Sequence, residues 1–226
     1  QDLMYSNFMA EVLLENNNID IHNLANIFNN ANLFLNKNNI NVSSNGIVSN
    51  DSNGIFIKET NISIEIGVLL DLKHNEIVKI RDTKIKGLFG KSFYNCSLQL
   101  QNSCICETYN NIQIFNSLYV NIENTTITGD IIASGTSNIE IKNSNIGSVS
   151  ISNLGLLDVY NSRVTGNILN ISELGNINFE YSFITCNIIN IKGNGELRIE
   201  ESKLELETGI NVFELGKVRV MYSEII

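Results

Sequence analysis

The chain has 226 residues, enough for one large domain or two small ones, and no change of composition along it places a linker. A formal net charge of −9 argues against a nucleic-acid backbone as partner, which would need clustered Lys and Arg. No run approaches the roughly eighteen apolar residues of a membrane helix, and the complete absence of proline suits a chain made of many hydrogen-bonded strands.

Taken in chain order, one apolar position, called p, recurs at Val12, Leu33, Ile55, Val78, Leu98, Val120, Ile139, Leu157, Ile177, Leu197 and Val218. The spacing runs from 18 to 23 residues. Two residues later a second apolar row appears, from Leu14 and Leu35 through Val159, Phe179 and Ile199 to Val220. Seven residues after p stands a third, from Ile19 and Ile40 through Val164, Ile184 and Leu204 to Ile225. Between them, p+5 is a short polar residue throughout: Asn17, Asn38, Thr60, Thr83, Ser103, Thr125, Ser144, Ser162, Ser182, Ser202 and Ser223. Such a residue at a turn can bond local backbone and its counterpart one coil above.

Counting back eight and six residues from the next p gives a further strand, as in Ala25/Ile27, Leu70/Leu72, Ile112/Ile114, Ile131/Ala133, Leu169/Ile171 and Ile189/Ile191. The variation in period then falls in one loop per coil, between p+7 and this strand. The coil of residues 78–97 departs from the rule with Gly90 and Ser92, and its LFGKSF stretch is expected to bulge. A period near twenty with strict alternation inside it predicts stacked coils of parallel strand, and β-branched residues dominate where a helix would need a 3.6 period. Residues 10–21, AEVLLENNNIDI, are the one stretch where helix competes. The fold class is therefore all-β, a single-stranded right-handed parallel β-helix of about ten coils. It forms one domain over 1–226, with half-coils at 1–11 and 218–226. The hand is read from the resemblance below.

NIEIKNSNIG (138–147) and LDVYNSRVTGN (157–167) resemble the repeats of the right-handed parallel β-helix superfamily that includes pectate lyases, phage tailspikes and surface adhesins. ITGDIIASG (127–135) and VTGNI (164–168) are also similar to bactofilins, which are polymer-forming β-helices, and to haemagglutinin-type repeats. The resemblance implies the fold, and an extracellular or surface location, more than an activity.

In polysaccharide-cleaving members of that superfamily the site lies on the outer face of the long sheet, so rows p+1 and p+3 hold the catalytic candidates. Glu140 and Asp158 are one coil apart, as are Glu180 and Glu200. Paired carboxylates about 5 Å apart suit a retaining glycosidase, and carboxylates can also hold calcium. Arg198 and Arg219 beside Glu180 and Glu200 instead read as a surface charge ladder. The aspartate pairs and Arg-x-Lys element of polygalacturonase-like enzymes are missing, and His22 and His74 are isolated. Leu13, Phe34 and Phe56 make an outward apolar stripe.

Of the cysteines, Cys104 and Cys106 sit at i and i+2 of one strand and do not face each other, and Cys186 is four coils away. A local bridge from Cys96 stays open. No cofactor or metal is called: a lone C-x-C lacks a second pair of ligands. Asn-x-Ser/Thr triplets occur at Asn41, Asn50, Asn61, Asn95, Asn124 and Asn170, as the composition alone would supply.

Gln1 fits a chain from which a signal segment has been removed, and fits an arbitrary start equally well. Continuing Ile226 with Gln1 would place Val218 and Val12 20 residues apart, inside the range of the period. The two half-coils can thus complete each other between molecules, with Met4, Phe8, Met9, Val12, Leu14, Val218, Val220 and Ile225 at the junction. The reading is a non-enzymatic fibre or adhesin subunit that joins itself head to tail, with surface glycans as a possible second partner and without membrane insertion. The alternatives are a polysaccharide-cleaving or glycan-binding β-helix protein, and a piece of a longer β-helical chain.

Overall fold

A computed structural model of the chain describes residues 2–7, 11–28, 31–44, 46–51, 54–64, 70–74, 77–86, 92–94, 97–106, 112–117 and 119–226. Among these residues there is no helix, and every strand pairing is parallel. The p strands, from Glu11–Glu15 to Lys217–Met221, form an eleven-stranded sheet in which each strand pairs with the one a coil away. A nineteen-stranded sheet carries the other two faces. Parallel strands need a crossover, and here the remainder of each coil is that crossover.

The register is the one the apolar rows demand. Val12 pairs with Leu33, Leu33 with Ile55, and so on to Leu157 with Ile177, Ile177 with Leu197 and Leu197 with Val218. A slip of one residue would turn the whole row outward. The p and p+2 residues from Leu33 to Ile199 are at most 1% exposed, and with the p+7 and third-face rows they form one continuous core. Phe179 is the largest fully buried side chain among the described residues. In the stretch where helix competed, the described residues form two strands, Glu11–Glu15 and Asn18–Ile21, with a corner between them. Alternating burial of Leu and Ile over Asn- and Glu-rich outer positions favours the extended form.

Two corners per coil have a common backbone solution. All eleven p+4 residues have positive φ, from Asn16 at 57° through Asn102 at 49° to Tyr222 at 50°. The p−4 residues Asp51, His74, Asn116, Gly135, Asn153, Glu173, Gly193 and Glu214 do the same at the other corner. A single left-handed residue bends the strand sharply enough to start the next face, and Asn or Asp takes that region at least cost among non-glycine residues.

The p+5 ladder follows from backbone accounting at the first corner. The p+4 N–H reaches up to the next coil, as Asn143 N to Tyr160 O at 3.2 Å, and the p+6 N–H reaches down, as Arg163 N to Ser144 O at 2.8 Å. The p+5 N–H between them meets a side-chain oxygen instead: Ser144 N bonds Ser162 Oγ at 3.0 Å, Ser162 N bonds Ser182 Oγ at 3.1 Å, and Ser182 N bonds Ser202 Oγ at 2.9 Å. Each hydroxyl then donates to its own p+3 carbonyl, as Ser182 Oγ does to Glu180 O at 2.9 Å. A buried N–H would otherwise lack a partner, which is why a short oxygen-bearing side chain recurs here. The link between coils is therefore side chain to backbone rather than hydroxyl to hydroxyl.

Two details differ from the sequence reading. In the 78–97 coil the strand is Ser92–Tyr94, and Phe93 takes the register position shared with Leu72 and Ile114. Phe93 stands five residues before Leu98, so the second corner is one residue shorter there and the variable loop does not absorb all the variation in period. Gly90 and most of the LFGKSF stretch lie outside the described residues. The variable loop is a single residue, His22, in the first coil, lengthens over the next coils and shortens again toward the C-terminal end. It separates Ile64 from Leu70, is short between Ile146 and Val149, and vanishes in Arg163–Ile171 and Phe183–Ile191, which run through the bend as single strands.

Candidate functional site

The outward rows of the eleven-stranded sheet bring together the four candidate carboxylates. Glu140 pairs in register with Asp158, and Glu180 with Glu200. With Lys142, Tyr160, Asn178 and Arg198 they line a shallow groove of about 260 Å³. Their neighbours occupy most of them. Glu140 Oε1 lies 2.6 Å from Lys142 Nζ, Asp158 Oδ1 accepts from Asn178 Nδ2 at 2.6 Å, and Arg198 Nη2 holds Glu200 Oε2. The Glu140 contact raises the Lys142 ammonium above its ordinary value. Arg219 is bonded to Glu196 at 3.0 Å, so the charge ladder forms, but with a different partner from the Glu200 of the sequence reading.

This arrangement distributes donors and acceptors along the face. A retaining glycosidase needs one carboxyl that gives up a proton and another free to attack. Pairing with Lys142 and Arg198 engages Glu140 and Glu200 and ties both to the sheet. Among the described residues no group of three His, Cys, Asp or Glu could hold a metal ion.

A second groove follows the first corner, over Asn143, Asn161, Tyr181, Glu201 and Tyr222, with about 780 Å³ of open volume. Asn161 Nδ2 donates to Asn143 Oδ1 at 2.7 Å. The Tyr181 hydroxyl hydrogen-bonds Glu201, which raises the phenol above its ordinary value, and the ring meets Tyr160 edge to face at 5.3 Å between centroids. Arg163 lies 4.6 Å from the centre of the Phe183 ring. Sequence reasoning passed over this groove because it attended to p+5 and not to p+4. The signal was present: six of the eleven p+4 residues are Asn or Asp, so Tyr181 and Tyr222 stand out.

At the N-terminal end Phe34 and Phe56 stack at 4.7 Å with rings 7° from parallel, and Leu13 continues the stripe at 58% exposure. The junction candidates divide. Met4 aligns with Ala25 and Ser6 with Ile27, so Asp2–Asn7 extends the third face by one coil. Val12, Leu14 and Val218 are half-buried, while Val220 and Ile225 are 37% and 50% exposed. Phe8 and Met9 lie outside the described residues. Cys186 is buried and free, and burial pushes its thiol up to about 11. Cys96 lies outside the described residues.

No family model, curated protein or solved structure matches the chain significantly. What the structure supports of the resemblance to pectate-lyase-like proteins is the parallel β-solenoid.

Proposed function

We propose that the chain is a non-enzymatic structural subunit of an extracellular or surface fibre or adhesin, growing by head-to-tail addition of coil to coil. The observation that carries this reading is the complementarity of the two end coils. Lys217–Met221 and Glu224–Ile225 offer the first two faces of a coil, and Asp2–Asn7 offers the third in the register of the strands above it. Val220 and Ile225 continue the apolar rows of Ile199 and Leu204 that are buried inside the stack, so a further coil in register would extend the same core. A second copy placed in register would set Lys217 against Glu11 and present Asn17 to the N–H of Ser223, continuing the ladder.

A contact of this heterologous kind does not close on itself, so it yields filaments rather than rings. Electron microscopy and light scattering across a wide concentration range test it. Rods that lengthen in steps of one subunit, about 48 Å at about 4.8 Å per coil, support the reading. Dispersed rods of single length at high concentration contradict it. Val220→Lys with Ile225→Lys should hold the chain as single rods with its circular dichroism unchanged.

A further inference from the structure

We propose that the p+4 corner of the last coils is a binding site for a neutral oligosaccharide lying parallel to the solenoid axis. The argument starts from a backbone cost without a packing return. Tyr181 and Tyr222 adopt φ of 50°, a region that a bulky side chain enters at some expense and that Asn occupies readily in the same row. The Tyr181 ring, inside the stack, is not buried in exchange and is 44% exposed, and Tyr222 repeats the residue type two coils on. Core packing therefore does not explain a tyrosine at position 181. The Tyr181 ring meets Tyr160 edge to face at 5.3 Å between centroids, which favours one orientation of the platform.

The geometry along the corner points to a sugar chain. Successive p+4 residues step by about 4.8 Å, close to the length of an extended pyranose unit. Tyr181 and Tyr222 are two coils apart, so they meet alternate sugars, and in a β-1,4-linked chain alternate sugars present the same face. An aromatic ring offers that apolar face a flat partner while its hydroxyl stays wet. The amides of Asn143 and Asn161 and the carboxylate of Glu201 supply donors and acceptors for hydroxyl groups between and beyond the rings. The local charge selects against acidic sugars. Arg163 lies over the Phe183 ring, and Lys203 is 3.1 Å from Glu205 and 4.0 Å from Glu224, so both cations are engaged while Glu201 repels a uronate.

This site does not depend on head-to-tail assembly. Cellohexaose and chitohexaose are titrated into dilute single rods, with tyrosine fluorescence and amide chemical shifts as readouts; the chain has no tryptophan to mask the tyrosines. The expected result is saturable binding of at least one hexasaccharide, with shifts confined to the corner around residues 143–222. Tyr181→Asn and Tyr222→Asn should each weaken it about tenfold while leaving the denaturation midpoint equal or higher, because Asn suits the left-handed corner. No binding of either sugar, unchanged binding in the double variant, or tighter binding of tetragalacturonate would each overturn the proposal. None of these outcomes bears on filament growth, which is read separately by microscopy.

Discussion

Replacing Ser182 by Ala tests the ladder at a site where the loss can be worked through atom by atom. The Ser182 hydroxyl accepts from Ser162 N at 3.1 Å and donates to Glu180 O at 2.9 Å. Glu180 O keeps a second donor, Asn161 N at 3.0 Å, so its loss is small. Ser162 N–H keeps nothing, because the p+4 and p+6 amides on either side already use the neighbouring carbonyls and Ser162 and Ser182 are both buried. An unpaired buried donor costs about 1–3 kcal/mol. With a urea m-value of about 3 kcal/mol/M, the midpoint should fall by about 0.3–1 M. Because solenoids can open coil by coil, the decisive assay is hydrogen exchange at the Ser162 amide itself, which should lose protection before its neighbours in the p strand do. Ser182→Thr supplies the control. Thr60, Thr83 and Thr125 occupy the same row, so it should stay within about 0.5 kcal/mol of the parent. Unchanged Ser162 protection in the Ala variant would refute the backbone accounting.

Phe179→Ala removes a fully buried aromatic side chain between Val159 and Ile199 and should destabilise by about 3–5 kcal/mol, read by calorimetry or urea titration. Gly166→Ala would place its Cβ 2.0 Å from Ser148 Oγ and 2.5 Å from Ser148 N, so the backbone must move; a loss of about 1–3 kcal/mol is expected, with Gly155→Ala, whose nearest atom is a side-chain methyl at 3.0 Å, milder. The buried Cys186 thiol makes stability fall at alkaline pH. Above the unfolded thiol pKa of about 8.5 the unfolded chain releases a proton that the native chain keeps, and the loss grows until pH passes about 11. Cys186→Ala should flatten that part of the pH curve, and iodoacetamide should reach Cys186 only on unfolding, as mass spectrometry of the labelled peptide would show.

The rows at p, p+2 and p+7 were legible because a buried face tolerates no polar intruder and the period of two fixes which residues share it. The Ser and Thr row was legible because a turn needs a short oxygen-bearing side chain. Register at Phe93 was not, since a corner shortened by one residue leaves the apolar count intact and moves only the frame. The left-handed p+4 row was half visible in Asn16, Asn102, Asn124, Asn143 and Asn161, but Lys37, Glu59, Tyr181 and Glu201 carry no such mark and are held there by the coils around them. The outer-face carboxylates were found from spacing alone. Their partners were not, because rotamers choose between Arg198 and Arg219 and alternation does not.

Distance measurements along the outer p+1 row test the stack itself. Non-cysteine spin labels at Lys79 and Arg219, seven coils apart, should give a distribution centred near 34 Å, and moving the second label to Arg198 should shorten it by one coil, about 4.8 Å. Distances that fail to step with the number of coils would contradict the stacked arrangement.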